Sequence, residues 1–340
     1  MKKTLAVAAI ALATVAFGGA AQARDQIRIV GSSTVYPFAT AVAEQFGKAG
    51  KFKTPVVEST GSGGGLRLFC SGIGPDFPDV ANASRRIEPS EVEFCAKNGV
   101  TDISEVVIGY DGIVFANSKK GPQLKLTREN IYRAIAKDVP VDGKLVANPY
   151  KKWSDIDKSL PDMPITIFGP APNHGTRDAL VELVMDPACE KQPEIKALDK
   201  AAKKKACQVV REDGSFIEVS DSYNVTLQKL LSTTTAVGIF GFSYLDQNRD
   251  KVEAATVDAV EATFDNISTR KYPVSRPLFF YVKKAHVGQI PGIKEYIAEF
   301  TSDKAWGPNG YLADKGLIPM PDAERKAEAK KAGDLSQLKM

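Results

Sequence analysis

Residues 26–38 of this chain read QIRIVGSSTVYPF, an apolar run that passes through Gly31, Ser32, Ser33 and Thr34 into an amphipathic stretch. We predict a strand at 26–30, a turn at 31–34, and a helix whose apolar side chains recur at helical spacing and which ends near Gly47. Strand–turn–helix units of this kind build α/β folds, in which ligands bind beyond the carboxyl ends of the strands.

The same design occurs twice more in the chain. A turn at 60–65 (TGSGGG) follows a predicted strand at 54–59 and precedes a short helix from Leu66, and a turn at 174–177 (HGTR) follows a predicted strand at 165–168. The first N–H groups of a helix lack partners and carry partial positive charge, and Ser and Thr hydroxyls add further donors. Three such turns indicate an anion held between several helix ends.

The remaining pattern extends the alternation of strands and helices. Thr127 is expected to cap a helix at 127–136, with Asn130 at the third helical position. Asp111 and Gly112 interrupt a strand-like run at 106–116 and mark a candidate passage between domains. Further strands are predicted at 79–83, 236–240 and 278–282, further helices at 226–231 and 293–300, and a solvated helix or frayed tail after Pro321.

The first residues have the pattern of a secretory signal peptide. Lys2 and Lys3 precede an apolar run at 5–17, and the small residues of 21–23 (AQA) form a cleavage site. The mature chain is therefore expected to begin near Arg24 and to be soluble in a bacterial periplasm. Its net charge falls from +4 to about +2, which does not favour nucleic acid or an anionic membrane as the main partner.

The four cysteines fit an exported protein. Three pairings are open, and we favour Cys70–Cys95 and Cys189–Cys207 because short loops close more easily. No C-x-x-C occurs and the chain has only two histidines, so neither zinc nor another cofactor is expected.

Enzyme motifs are incomplete. The glycine-rich turn lacks the Lys-Ser/Thr of a P-loop, and no Gly-x-Ser-x-Gly surrounds Ser33 or Ser62. His174 lies near a hydroxyl cluster, so a secreted phosphatase or esterase remains an alternative hypothesis.

Several segments, taken in order, resemble the periplasmic phosphate-binding proteins of ABC transporters, within the type II periplasmic binding protein superfamily. The resemblance runs from about residue 26 to 320 and rests on IVGSSTVYPF at 29–38, STGSGGG at 59–65, IGYDGIVF at 108–115, LT at 126–127 with Ile131, KWSDI at 152–156, HGT at 174–176 and AVGIFG at 236–241.

The resemblance implies an α/β fold of two lobes, each a central β-sheet flanked by helices, joined by two crossing hinge strands. Lobe I would comprise 24–113 and 272–322, lobe II 114–271, and a charged tail 323–340. The protein would be a monomer without catalytic activity that captures inorganic phosphate by hinge closure and delivers it to ABC permease subunits. The expected ligand-binding residues are Ser33, Thr34, Val35, Ser62, Gly63, Ser84, Arg85, His174, Gly175, Thr176 and Arg177.

The chain departs from the family pattern in two places. The family's third strand usually ends in Ser-Asp, and that Asp accepts the proton of hydrogen phosphate, which sulfate lacks. Here Arg85 stands at that position. The family's Arg before Ser-Gly-Thr is also missing, and either Arg85 or Arg177 could replace it because a guanidinium grips an oxyanion bidentately. Asp111 is either a hinge residue or the missing proton acceptor.

Other interpretations stay open. The ligand could be another oxyanion, sulfate-like or phosphonate- or phosphite-like, or the fold could serve adhesion or signalling without a ligand. Arg85 and Arg86 could simply pair with Glu88 or Glu91, and Arg177 with Asp178 or Glu182. The polar turn at 221–224 is a further candidate near the cleft.

Overall fold

The computed structural model describes residues 24–172, 174–219 and 223–340. The signal peptide predicted at 1–23 lies outside the described residues. Within the described ranges, no helix combines the length and the apolar character that crossing a bilayer requires.

The seven predicted strands are present to within a few residues of their expected bounds, and six further strands in the described ranges were not predicted. The predicted strands are the ones numbered 1, 2, 3, 4, 8, 10 and 13 in the full set, which is β1 (Arg28–Gly31), β2 (Val56–Ser59), β3 (Val80–Ala83), β4 (Ile103–Ser118), β5 (Lys125–Leu126), β6 (Asp138–Val141), β7 (Lys144–Ala147), β8 (Ile167–Pro170), β9 (Phe216–Val219), β10 (Val237–Gly241), β11 (Val252–Ala254), β12 (Thr256–Val257) and β13 (Ser275–Lys283).

The helices flank these strands. They are α1 (Tyr36–Lys48), α2 (Ser62–Phe69), α3 (Pro89–Lys97), α4 (Arg128–Ile135), α5 (Trp153–Ile156), α6 (Gly175–Leu180), α7 (Asp186–Cys189), α8 (Pro193–Lys196), α9 (Lys200–Gln208), α10 (Tyr223–Ser232), α11 (Phe242–Gln247), α12 (Phe264–Ser268), α13 (Ile293–Phe300), α14 (Asp303–Trp306) and α15 (Asp322–Gly333), with a π-helical turn at Val181–Met185 and a 3-10 turn at Lys284–His286.

Strand β4 joins two groups of strands into one sheet with the order β2-β1-β3-β13-β4-β10-β8-β9. Its first part pairs with β13 as far as Gly112, and from Ile113 it pairs with β10. The predicted interruption at Asp111 and Gly112 is therefore wrong as a break in the strand, because β4 runs on through both residues. The change of partner at this point lets one strand serve both halves of the fold.

The parallel strands set the direction of the turns that follow them. Strands β1, β2 and β3 run parallel to one another, as do β8, β9 and β10. Since the carboxyl ends of parallel strands meet at one edge of a sheet, the turns after β1, β2 and β3 cluster, and so do those after β8 and β10.

Local sequence signals account for several helix boundaries. The Thr127 side chain caps α4 by accepting from the Asn130 N–H (3.0 Å), and the Asn130 side chain accepts from the Thr127 N–H (2.8 Å). These two bonds confirm the predicted cap. Helix α2 begins at Ser62 rather than at Leu66, because Gly61 supplies the positive φ that admits the chain into the helix.

Both predicted disulfides are present, Cys70–Cys95 and Cys189–Cys207. The first joins the C-cap of α2 to α3 inside a small apolar cluster that includes residues of β3 and β13. The second joins α7 to α9 within the main core. Each closes a short loop, as expected.

The C-terminal segment is a helix, as one form of the prediction had it; most of its residues are exposed, and the rest dock it on the sheet. In α15, Arg325 and Ala332 are buried, and Glu328 accepts from the Val107 N–H of β4 (3.0 Å). The chain then returns to the sheet, where the Leu338 N–H donates to the Ile103 carbonyl (2.7 Å). These contacts are made with β4, so no periodic pattern in the sequence of the tail predicts them.

One buried lysine creates a pH-dependent contribution to stability. The Lys283 ammonium lies between the rings of Phe69 and Phe77, at 5.0 and 5.5 Å from their centroids, and burial lowers its pKa to about 8. Between this value and the ordinary lysine pKa, the unfolded chain binds more protons than the folded one. Stability should therefore rise with pH across that window.

Between pH 8 and 10, the free energy of unfolding should rise more in the wild type than in Lys283→Met. We expect the difference to be on the order of 2 kcal/mol, since one pKa unit corresponds to about 1.36 kcal/mol. Urea unfolding at the two pH values measures this difference, and tyrosine ionisation is common to both proteins and cancels. Equal pH dependence in the two proteins would contradict the assignment.

Candidate anion-binding site

A cavity of about 440 Å³ lies at the carboxyl ends of the strands. The residues that line it come from the first and third predicted turns, from β4, and from the segments around β10 and 315–316. They are Ser33, Thr34, Tyr36, Pro37, Phe38, Asp111, His174, Gly175, Thr176, Tyr223, Gly241, Ser243, Lys315 and Gly316. Five of the predicted ligand residues are in this set.

No hydroxyl group of the first turn caps the N-terminus of α1. The N-cap position of α1 is Val35, and the turn closes through the Tyr36 N–H donating to the Ser32 carbonyl (2.9 Å). Thr34 is buried and its hydroxyl donates to the Gly175 carbonyl (3.3 Å). The Ser33 hydroxyl donates to the carboxylate of Asp178. The first turn thus touches the third turn directly.

The third turn approaches the first at its glycine. A Cβ at Gly175 would lie 2.7 Å from the Thr34 Cα, so the close contact requires glycine at this position. His174 caps α6 by accepting from the Thr176 N–H at Nδ1 (3.1 Å), and this bond needs an unprotonated Nδ1. The Thr176 hydroxyl shares a short hydrogen bond with the Tyr223 hydroxyl.

The second turn packs against the end of β3. The Ser84 N–H donates to the Ser62 Oγ (3.0 Å), and the two hydroxyl groups share a further hydrogen bond (3.0 Å). Both serines are buried, and Gly63 lies beside the Arg85 guanidinium. Val35, Ser62, Gly63, Ser84, Arg85 and Arg177 are outside the set that lines the cavity.

Arg85 and Arg86 both have carboxylate partners. Arg85 donates to both oxygens of Glu91 (2.9 and 2.7 Å) and lies 3.5 Å from Glu88. The bond with Glu91 raises the pKa of Arg85. The expected pairing of Arg86 with Glu88 or Glu91 is wrong, because this guanidinium reaches Glu105 instead (2.9 Å).

The Arg177 side chain contacts residues of strands β8 and β9. It donates to the Pro170 carbonyl (2.7 Å) and to Glu218 (2.8 Å), and its guanidinium lies 5.2 Å from the centroid of the Phe216 ring. The alternative partners Asp178 and Glu182 are therefore wrong. Strand β9, which carries Glu218, supplies a partner that spacing along α6 cannot reveal.

Arg276, which no sequence motif marked, does not itself line the cavity but contacts two residues that do, Thr34 and Asp111. It is buried on β13, directly across from Asp111 of β4 in the strand register. Its Nη2 donates to the Thr34 Oγ1 (2.8 Å), its Nε lies 3.5 Å from the Asp111 Oδ2, and its Nη1 pairs with Glu182. One guanidinium thus connects the first turn, the long strand β4 and the helix after the third turn.

Asp111 presents a partly buried carboxylate to the cavity. Its Oδ2 has no hydrogen-bond donor among the described residues. Burial raises the pKa of Asp111, and the positive charge of Arg276 opposes that rise. Burial likewise raises the pKa of Glu182. The sequence marked Asp111 as a candidate, but only strand pairing shows that an arginine lies beside it.

The site combines hydroxyl and N–H donors, one buried guanidinium and one acceptor carboxylate. This donor set suits an oxyanion, since oriented dipoles and a buried cation stabilise negative charge in a site with little water. Among the described residues, no group of three or more His, Cys, Asp or Glu side chains is arranged to hold a metal ion. Asp221 and Ser222 of the predicted polar turn lie outside the described residues.

Known proteins share this architecture. The family model for the PBP superfamily domain matches residues 18–304. The chain is 30% identical to Protein SphX of Synechococcus elongatus over 93% of this chain and 84% of that protein. It is 26% identical to the phosphate-binding protein PstS of Staphylococcus saprophyticus, over 90% and 83% of the two chains.

A solved structure agrees with these relatives. The crystal structure of a possible phosphate binding protein from Planctomyces limnophilus superposes with a TM-score of 0.74 at 26% identity, covering 92% of this chain and 99% of that one. The two-lobed α/β fold expected from the sequence is thereby confirmed.

Proposed function

This chain belongs to the PBP superfamily, among relatives of the phosphate-binding proteins, and we propose that it captures inorganic phosphate for an ABC importer. The observation that carries the proposal is the meeting of Arg276, Thr34 and Asp111 at a cavity bordered by two helix-starting turns. Relatives that are receptors rather than enzymes support a role in transport without catalysis.

The phosphate oxygens would be held by N–H and hydroxyl groups of the first and third turns. Ser33, Thr34, Gly175 and Thr176 are the donors we place at the ligand, with Arg276 supplying the positive charge. Asp111 would accept the proton of hydrogen phosphate, in place of the family's Asp at the position of Arg85. The remaining expected ligand residues, Val35, Ser62, Gly63, Ser84, Arg85, His174 and Arg177, stay predictions.

Delivery requires the ligand to be enclosed and then released. The proposed lobes, 24–113 with 272–322 and 114–271, would rotate about the segment of β4 where its pairing changes from β13 to β10. The leader predicted at 1–23 would place the mature monomer in the periplasm, where it would dock on the permease subunits.

Isothermal titration calorimetry tests the binding function, with protein freed of endogenous anions by unfolding and refolding with its disulfides intact. We expect phosphate to bind and sulfate to bind far more weakly. No heat with phosphate would overturn the proposal. Strong sulfate binding would favour the alternative of a fully ionised oxyanion, and hydrolysis of a phosphoester that disappears in His174→Ala would favour a phosphatase.

Thr176→Ala should weaken phosphate binding by about 1–3 kcal/mol, the range for a hydrogen bond to a charged group. Thr176→Ser should restore most of the affinity, because it keeps the hydroxyl. Thr226→Ala is a matched control, since Thr226 is a buried threonine outside the cavity lining. Equal affinities in wild type and Thr176→Ala would remove this hydroxyl from the site.

A further inference from the structure

The cavity is larger than inorganic phosphate requires. Phosphate has five heavy atoms, and even at the ~30 Å³ that a water molecule occupies in the liquid it would fill only about 150 Å³. The cavity measures about 440 Å³, although the first and third turns already touch through Thr34 and Gly175. Phosphate alone would therefore leave most of this open cleft unfilled.

A second group of lining residues lies outside the first and third turns, and we call it the substituent group: Tyr36, Ser243, Lys315 and Gly316. These residues come from the first turn of α1, from α11 and from the segment before α15. The Ser243 hydroxyl donates to the Gly316 carbonyl (3.3 Å), which ties two of these segments together. Tyr36 exposes 38% of its surface, so its ring is accessible to a ligand.

Lys315 supplies a second positive charge at the same cavity. It is exposed, and no carboxylate in the described parts of the chain forms an ion pair with it. By contrast Arg276, the cation at the first turn, has two carboxylate partners. The lysine is thus available to a ligand that carries a negative group beyond its phosphoryl end.

We propose that the cavity also binds phosphonates and phosphate monoesters whose short substituent ends in a carboxylate or a second phosphoryl group. This inference rests on the proposed phosphate function. The phosphoryl oxygens take the place of phosphate at Thr34, Thr176 and Arg276. The substituent lies along Tyr36 and Ser243, and its anionic end meets Lys315.

Phosphonoacetate is the probe, titrated beside phosphate in the calorimeter. We expect it to bind the wild type within about tenfold of phosphate. Lys315→Ala should weaken phosphonoacetate about fivefold and phosphate less than twofold, as an exposed ion pair allows. Lys294→Ala, an exposed lysine outside the cavity, is the control and should change neither affinity.

A second pair of variants tests the volume. Ser243→Phe should fill the space beside Gly316 and abolish phosphonoacetate binding while phosphate still binds, and Ser243→Ala should bind both ligands. Phosphate binding without phosphonoacetate binding in the wild type would overturn this inference and leave the phosphate function intact. So would an equal loss of both ligands in Lys315→Ala. Failure of phosphate to bind would instead overturn the proposed function.

Discussion

Arg276→Met is expected to weaken phosphate binding at least about 100-fold and to lower the free energy of unfolding by about 3 kcal/mol. The guanidinium donates to Thr34 and pairs with Asp111 and Glu182 while itself buried. Charge-assisted hydrogen bonds of this kind contribute about 1.5–3 kcal/mol each, and about 2.7 kcal/mol corresponds to a factor of 100 in affinity.

The loss of stability has a separate cause. Breaking a fully buried ion pair costs about 3–5 kcal/mol, and here the arginine is buried while its partners Asp111 and Glu182 are 16% and 41% exposed. We expect the lower end of that range, because the raised pKa of Asp111 lets this carboxyl take up a proton and become neutral.

Arg211→Met is the matched control for Arg276→Met. Arg211 is also buried and pairs with a carboxylate, Asp213, but this partner does not line the cavity. The Arg276 partners Thr34 and Asp111 do line it. The Arg211→Met protein should be less stable than the wild type and should keep the wild-type affinity for phosphate. Arg276→Lys keeps the charge but loses the planar fork, so it should bind phosphate with intermediate affinity. Wild-type affinity in a folded Arg276→Met protein would contradict the role of this residue.

Asp111→Asn is expected to weaken phosphate binding by one to two orders of magnitude and to strengthen sulfate binding. A carboxylate accepts the proton of hydrogen phosphate but repels sulfate, which has no proton to donate. An amide can donate to either anion. The selectivity for phosphate over sulfate should therefore collapse, and competition of sulfate against phosphate in the calorimeter measures it.

Glu182→Gln tests whether the effect of Asp111→Asn comes from the loss of a proton acceptor or only from the loss of a negative charge next to Arg276. Glu182 also pairs with Arg276, but it is outside the cavity lining. Removing its charge frees Arg276 from a competing carboxylate, so phosphate should bind equally or more tightly, with selectivity unchanged. An Asp111→Asn protein that keeps its preference for phosphate would show that Asp111 serves only the hinge.

Local signals made much of the fold predictable. The turn at 31–34, the Thr127 cap with Asn130, and both disulfides depend on residues close in the chain. Apolar runs likewise placed seven of the thirteen strands in the described ranges to within a few residues, and missed the other six. The two-lobed class followed from the order of such segments rather than from any one of them.

The arginine at the site was not predictable in this way. The resemblance to the family drew attention to Arg85 and Arg177, because the family's arginine before Ser-Gly-Thr is missing here and either residue could replace it. Their partners are Glu91 and Glu218, and the second of these lies on a different strand. Arg276 precedes the apolar part of β13 and carries no motif of its own.

The sequence by itself determined where helices begin at the ends of strands, because unpaired N–H groups, glycine and hydroxyl side chains act within a few residues. Only the tertiary structure decided which charges meet there. Arg276 faces Asp111 because β13 and β4 are antiparallel neighbours in a particular register. The register is set by how the whole sheet packs, so residues far apart in the chain share one cavity.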